Sequence, residues 1–439
     1  MIDPTLLAEQ PEIVLASLRK RHADAEAMGA VGRFGVLHAL RRTLIQEGDT
    51  LRAERNRLSR EIGQLLKENR MAEADEAKGR VAEGAERTRQ IDEELAVVQS
   101  EQDHLAKILP NLLHPSVPEG EGEADNPVIR TWGTPRVFSF TPHSHVEIGS
   151  RLGILDLERS IRLSGARFSV LSGWGARLER GLINFFLDLH TQEHGYTEVM
   201  VPYIVHRHVA EGTGQLPKFE HDMFKLAEPL NGQDAFLIPT AELPVTNLYR
   251  DEILDEAQLP MKFVAFTPCF RSEAGSAGRD VRGLIRLHQF HKVELVWMTT
   301  PDRADADYKA LLHHAETALQ RLELPYRMVR HCGGEVSFSA ARCHDFEVWL
   351  PSQDRYREIS SCSHFTEFQA RRMSLRFRPE SAEAKKQRPK LCHTLNGSGL
   401  AVGRTMVALL ENGQQADGSV VLPAILHPYV GTDVIRPPR

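Results

Sequence analysis

RSEAGSAGRDVRGLIRLHQFHKVE, Arg271–Glu294, packs eight Asp, Glu, Lys and Arg residues, a glycine-rich middle and one Phe between two strand-like segments. A solvated hairpin could be this charged, but the pattern has a period of two. Arg286, His288, Phe290, Lys292 and Glu294 fall on one face, and Leu287, Gln289, His291, Val293 and Leu295 on the other. On the incoming side, FVAFTPCFRSE places Thr267, Cys269, Arg271 and Glu273 on a common face. The stretch predicts an antiparallel hairpin with one polar, mixed-charge face and a long glycine-containing loop. Such a face on a well-made sheet suits an anionic ligand that must be held and neutralised.

Working outward, strands are expected at Ala235–Ile238, Lys262–Arg271, Ile285–Trp297, Tyr326–Val329, Cys343–Leu350 and Tyr356–Ser360. Ala176–His194 reads as an amphipathic helix through Leu178, Leu182, Ile183, Phe186 and Leu189, with Gly195 as its C-cap. TEVMVPYIV follows as a strand broken by Pro202, and a last helix, about Ala401–Asn412, follows the glycine-rich HTLNGSG. PESAEAKKQRPK, Pro379–Lys390, reads as an exposed loop. Consecutive hairpins without βαβ crossovers predict an α+β domain on an antiparallel sheet. No Walker A sequence and no GxGxxG after a strand is present, which disfavours the common nucleotide folds.

The first 112 residues differ in kind. Leu37, Leu44, Leu51, Leu58 and Leu65 recur every seven residues, with Leu40 and Ile62 expected at alternate core positions. A second register holds Ala74, Ala77, Val81, Ala85, Thr88, Ile91, Leu95, Val98 and Leu105, until Pro110 and Pro115 stop the helix. The polar turn near Asn69–Glu73 is too short for a parallel return, so the pair should be an antiparallel two-helix coiled coil. An arm of about 30 residues would reach roughly 45 Å. Its first helix carries Arg41, Arg42, Arg52, Arg55, Arg57, Arg60, Lys67 and Arg70, while the second is mainly acidic. A dimerising coiled coil, a solvated charged face and a phosphate-tracking surface all fit that pattern. Residues 1–112 are thus expected as the arm and 113–439 as the sheet domain, joined by the Pro-, Gly- and acid-rich Val117–Arg130.

At 439 residues the chain can bury a full core, and its net charge of −6 announces no global nucleic-acid field. Any polyanion must therefore meet local patches. Five cysteines (Cys269, Cys332, Cys343, Cys362, Cys392) show no CxxC pair and no zinc-like spacing. They read as reduced thiols of a cytoplasmic protein, and no zinc is expected. No signal-length or membrane-length apolar run is present.

Four segments carry chemistry together. Thr240-Ala241-Glu242 precedes a helix and alone reads as a cap. The hairpin is the second. The third, REISSCS, holds Glu358 on a strand before Ser360, Ser361 and Ser363. It is either a plain strand edge or a set of oxygen ligands for Mg²⁺. Strict alternation separates Glu358 from Ser361, so joint ligation requires a bulge. The fourth, HTLNGSGLAVGRTMVALLEN, permits close backbone approach at its glycines and puts Arg404 in a first helical turn.

These segments resemble the class II aminoacyl-tRNA synthetases, specifically the bacterial-type seryl-tRNA synthetases, over nearly the whole chain. MIDPTLLAEQPEIVLASLRKR is similar to that family's opening, and SGARFSVLSGWGARLERGLINFFLDLHT with GYTEVMVPYIV to its first class motif. TAELPVTNLYRDEIL, TPCFRSEAGSAGRDVRGLIRLHQFHKVEL, REISSCS, FQARRM and HTLNGSGLAVGRT resemble its signature segments. The resemblance implies that Arg271 holds the ATP α-phosphate and the serine carboxylate, with Ser272 and Glu273 also on ATP. It implies Phe290 and Arg404 on the two faces of adenine, and Glu358, Ile359, Ser360 and Ser361 at the nucleotide, with Glu358 and Ser361 on Mg²⁺. Thr240, Ala241, Glu242, Arg271, Glu294 and Ser398 would form the serine pocket, Glu294 taking the ammonium and hydroxyl. Arg271, Arg404 and Glu358 would be the catalytic groups.

The implied reaction is two-step: serine and ATP give seryl-adenylate and pyrophosphate, then a ribose hydroxyl of tRNA(Ser), or tRNA(Sec), takes the acyl group. No enzyme nucleophile is required. A polar pocket would reject alanine by about 10⁴–10⁵, whereas threonine must be excluded by shape. A cytoplasmic homodimer joined through Ala176–Tyr203 is implied, with no membrane partner. Two departures stand out: Ala277 in the hairpin loop, where many members carry an aromatic that touches the tRNA end, and Arg342, Cys343 and His344 in FSAARCHDFEVW. Rival readings are a paralogue for a natural-product pathway or for resistance to a seryl-adenylate mimic, a serine:carrier-protein ligase, and a degenerate scaffold.

Overall fold

A computed structural model of the chain describes residues 1–274, 282–380 and 388–438. It divides into two units: Ile2–Arg19 with Ala23–Pro110, and Met1, Lys20–His22 and Asn111–Arg439.

In the first unit, α1 (Ala25–Lys67) and α2 (Met71–Ile108) are joined by a three-residue turn. Asp24 caps α1 by accepting from the Ala27 amide at 2.8 Å. Asn69, in the left-handed region at φ 57°, ends it, and the Arg70 amide reaches back to the Leu65 carbonyl at 3.0 Å. Low-numbered residues of α1 meet high-numbered residues of α2 (Arg33 with Glu101, Arg52 with Asp92), so the pair is antiparallel as expected. The helices are longer than the ~30 residues anticipated: α1 has 43 and α2 has 38.

Leu37, Leu44, Leu58 and Leu65 are buried, as are Ile91 and Val98 opposite. Leu40 is 43% exposed, which corrects its core placement. With Leu37 in the seam, the alternate heptad position lies three residues before or four after it, and buried Phe34 and Gly48 with half-buried Arg41 and Ile62 occupy that row. Ala85 is exposed for the same reason, and Gly84 takes the seam against Leu51.

The second unit is built on an eight-stranded sheet. Its strands are β1 (Val128–Trp132), β2 (Thr197–Glu198), β3 (Met261–Phe270), β4 (Gln289–Thr299), β5 (Tyr326–Arg330), β6 (Arg342–Leu350), β7 (Arg355–Thr366) and β8 (His393–Ala401). Their order is β1-β5-β6-β7-β8-β4-β3-β2, antiparallel throughout except for the β2–β3 pair. Three expectations change here. HTLNGSG is a central strand rather than a helix lead-in: neighbours on both sides pair its backbone, and its small residues let them approach. The tail of the expected linker forms edge strand β1. The Ile285–Trp297 strand begins only at Gln289.

Strand β4 shows how the sheet divides its faces. Val293, Leu295 and Trp297 point into a core shared with α3 (Trp174–Asp188), α4 (Ala304–Arg321) and, later in the chain, α6 (Val402–Gly413). Val296 and Met298, on the opposite face, pack against Ala241, Val245 and a short helix α5 (Phe368–Met373). Lys292 and Glu294 share that second face, so the same period-two rule that fills the core delivers two charges to its edge. Helix α3 starts two residues before the expected helix and gives way at Leu189–Glu193 to a single wide turn, with Gly195 at φ 69° beyond it. Among the described residues no helix is long and apolar enough to cross a membrane.

Candidate active site

The predicted hairpin forms from β3 and β4, with Cys269 opposite Phe290, Thr267 opposite Lys292 and Ala265 opposite Glu294. Beyond the strands the pairing continues, the Arg271 amide donating to the His288 carbonyl at 2.9 Å. Phe290, Lys292 and Glu294 therefore step along one wall of a cavity of about 740 Å³, the size of a cofactor or small-ligand site. Residues 275–281, including Ala277, lie outside the described residues.

Arg271 spans this wall. Its guanidinium carbon lies 5.2 Å from the Phe290 ring centre, and its Nε donates to the Pro239 carbonyl at 3.3 Å. Glu273 accepts from Arg286 Nη1 at 2.7 Å, which aims its carboxylate along the cavity rim.

Strand β7 contributes through a bulge. Phe346 pairs with Ser360 and Glu347 with Glu358, so Ile359 is the extra residue. That one-residue slip puts Glu358 and Ser361 on the same cavity wall despite their odd spacing. A carboxylate and a hydroxyl oxygen side by side suit a hard divalent cation. Arg404, in the first turn of α6, lies 3.2 Å from Glu358 Oε1 and donates to the Glu358 carbonyl at 3.0 Å. The Arg404 guanidinium, with Arg271 further off, holds the Glu358 carboxyl below its usual range.

At the closed end, Ser398 on β8 stands directly across from Glu294 on β4, because those residues pair. Thr240 and Glu242 face them. Thr240 is not the N-cap of the short helix Glu242–Thr246, a position held by Ala241, but its Oγ1 accepts from the Glu242 amide at 3.2 Å. Glu294 is fully buried and ion-paired to Lys292, and burial raises its pKa against the opposing pull of that lysine. Burial, followed by repulsion from Glu294, pushes Glu242 up to about 7.

Of the residues singled out in the sequence, Arg271, Glu273, Phe290, Glu358, Ile359, Ser361 and Arg404 line the nucleotide-sized part, and Thr240, Glu242, Glu294 and Ser398 the closed end. Three others turn their side chains elsewhere. Ser272 Oγ donates to the His221 carbonyl at 2.7 Å, Ser360 Oγ to the Ser398 carbonyl at 2.7 Å, and Ala241 is packed in the core beside Val296. Any role they have at a ligand falls to their backbone.

Sequence reasoning missed Gln369 on α5. Its Nε2 donates to Glu242 Oε1 at 2.6 Å, while its Oε1 accepts from Thr394 at 2.6 Å. No local pattern signals a contact 127 residues away. Lys292 stands on the predicted polar face without an assigned role, and its spacing from Glu294 is the signal that could have found it.

The arrangement offers cations for a polyphosphate, an aromatic for a base, and a carboxylate-lined end for a small ammonium. Comparison with known proteins identifies the family. The family described as "Seryl-tRNA synthetase N-terminal domain" matches residues 1–113, and "tRNA synthetase class II core domain (G, H, P, S and T)" matches residues 224–413. The serine–tRNA ligase of Nitratidesulfovibrio vulgaris is 51% identical over 431 residues, covering 98% of both chains. That of Geobacter sulfurreducens is 50% identical over 434 residues, covering 98% of this chain and 99% of its own. The crystal structure of the Pyrococcus horikoshii seryl-tRNA synthetase complexed with ATP superposes over 100% of both chains with a TM-score of 0.93 at 36% identity. By sequence and by fold, the chain belongs to the seryl-tRNA synthetase family of class II aminoacyl-tRNA synthetases.

Proposed function

We propose that this cavity activates L-serine with ATP and that the chain passes the serine to tRNA(Ser), a serine–tRNA ligase reaction that releases AMP and pyrophosphate. The observation that carries this is the junction of two sub-sites on one strand: Phe290 beside Arg271, and Glu294 beyond them at a closed end facing Ser398. Glu294 takes the serine ammonium and hydroxyl, with Glu242 adjoining and Gln369 holding Glu242 in place. Arg271 sits between the two sub-sites, where it neutralises both the serine carboxylate and the α-phosphate as they approach. Holding the two reactants in line converts a bimolecular attack into a positioned one.

Glu358 and Ser361 are the residues to hold Mg²⁺, which when bound neutralises the phosphate oxygens and the pyrophosphate that leaves. Arg404 lies against Glu358, which places its guanidinium between the carboxylate and the cavity space opposite Phe290. Phe290 and Arg404 enclose adenine from its two faces.

The arm is assigned to tRNA. Of the basic residues singled out in the sequence, Arg52 and Arg57 on α1 and Arg70 in the turn after it are engaged with acids, whereas Arg41, Arg42, Arg55, Arg60 and Lys67 on α1 have no ion-pair partner among the described residues. Five uncommitted cations on one helix suit a phosphate backbone. A homodimer is assigned to the segment from Ala176 to Tyr203, where Met200 is 90% exposed and Tyr203 is also exposed. The five cysteines are free and buried, in keeping with a reducing cytoplasm.

Serine-dependent ATP–pyrophosphate exchange followed by charging of total tRNA tests the reading. Exchange and charging with serine, and neither with alanine, is the expected result. Exchange without charging would favour the carrier-protein alternative, and no exchange at all would overturn the assignment.

A further inference from the structure

We propose a second divalent-cation site, thiophilic in character, at His331, Cys343 and Asp345. His331 Nε2, Cys343 Sγ and an Asp345 carboxylate oxygen all lie within 4.8 Å of one another. A tetrahedral ion with bonds of about 2.0–2.3 Å holds its ligand atoms about 3.3–3.8 Å apart, so closure needs only small side-chain shifts. The frame is already fixed. Cys343 and Asp345 are two apart on β6 and share a face, and the His331 amide donates to the Cys343 carbonyl at 3.1 Å. The three positions straddle a loop, which is why no short Cys–His spacing announces them in the sequence.

The hydrogen bonding around His331 asks for a cation. Its Nδ1 lies 3.2 Å from the Glu335 carbonyl, which can only accept, so Nδ1 carries a proton. Its Nε2 lies 2.9 Å from Asp345 Oδ2, a second acceptor. Two lone pairs at that distance repel unless a positive particle lies between them, either a second imidazole proton or a metal ion. A backbone carbonyl orienting the far nitrogen is the usual support of a metal-bound histidine.

The sulfur then selects the ion. Cys343 Sγ is 3.7 Å from Asp345 Oδ1 and 3.1 Å from Ser361 Oγ. Thiolate, neutral imidazole and carboxylate together carry two negative charges, which one divalent ion cancels, at the cost of releasing the thiol proton and any second imidazole proton. This mixed nitrogen, sulfur and oxygen set favours Zn²⁺, Co²⁺ or Cd²⁺ over Mg²⁺. His331 and Asp345 side chains keep 12% and 13% of their surface, so ions can enter. Three protein ligands leave a fourth position, and Ser361 Oγ borders it. One consequence rests on the function proposed above: a thiophilic ion here engages the hydroxyl assigned to Mg²⁺ and inhibits serine activation.

The full-length reduced chain, stripped with chelator, is titrated with Co²⁺ without ATP or Mg²⁺. We expect a sulfur-to-cobalt charge-transfer band in the near ultraviolet. C343S loses the band and binds at least about tenfold more weakly, while C332S, next to His331, retains it; circular dichroism checks both folds. No band in the parent chain, or the same band in C343S, overturns the site. Zn²⁺ should then inhibit pyrophosphate exchange at least about tenfold more strongly in the parent than in C343S, and equal inhibition overturns the link to Ser361. Exchange by the parent chain with Mg²⁺ and no thiophilic ion is the separate control on the function itself.

Discussion

In the arm, Arg33 and Glu101 meet at 2.7 Å with 53% and 37% of their side chains exposed, whereas in the cavity Lys292 and Glu294 meet with 10% and 1% exposed. The charges match, but the physics differs. The arm's pairs are bathed in high-dielectric solvent and screened by salt, so each adds little to stability. Lys292 and Glu294 have given up water and persist because each faces the other, so removing one leaves its partner buried and uncompensated. The arm should therefore respond to salt and tolerate single substitutions. The cavity should respond to pH and to single atoms.

Glu294→Gln is the severest test of that contrast. It conserves volume but removes the charge that balances Lys292 and that is proposed to receive the serine ammonium. Serine-dependent exchange is expected to fall by about 10³ or more, with ATP binding by calorimetry changed only a few-fold. Near-normal serine activation would break the pocket assignment and with it the claim that buried charge is decisive here.

A smaller effect separates the two regions by pH. Glu242 has its pKa raised to about 7 from a usual 4.5, so the folded chain holds a proton there between those values that the unfolded chain releases. That contribution to stability is full below about 4.5 and is lost as pH rises through 7, opposite to the need of the site. If the proposed ammonium site beside Glu294 also depends on an ionised Glu242, KM for serine should rise about tenfold per unit as pH falls below 7. His190, His194 and His314 act in the other direction on the fold: burial lowers them to about 3, about 4 and about 3, so stability drains away as pH falls below 6.5. Measurements between about pH 8 and 6, with circular dichroism alongside, keep the effects apart. A flat KM for serine would mean that Glu242 does not set the charge of the pocket.

The two regions also differ in how far they could be read from sequence. The arm's seam follows a period of seven within one helix, and Leu40 misses it because it lies three residues after Leu37 where the heptad requires four. Phe290, Lys292 and Glu294 were legible because a strand sorts neighbours by parity. The bulge at Ile359 could be posed as a condition, since Glu358 and Ser361 could not otherwise share a face, but only pairing with Phe346 and Glu347 sets it. Gln369 and the His331–Cys343–Asp345 cluster were not legible, because their partners are brought in by tertiary packing and carry no local spacing. HTLNGSG misled because glycines that make room for neighbouring strands look the same as glycines that end one.

The mildest prediction returns to the arm. Arg55 and Arg60 are exposed and have no ion-pair partner among the described residues, so neither supports the fold. Changing both to Ala should leave the melting temperature and serine activation unaltered. If they touch tRNA phosphates, charging should weaken several-fold at low salt, and the slope of log affinity against log salt should flatten by about 0.7–0.9 for each phosphate left without its arginine. Arg33→Ala supplies the converse: it frees Glu101 and removes a solvent-screened surface pair, with no change in the salt slope. Equal salt slopes in all three proteins would mean that the basic stripe is only a solvated face, and the arm's role would have to be sought on its acidic helix or at its turn.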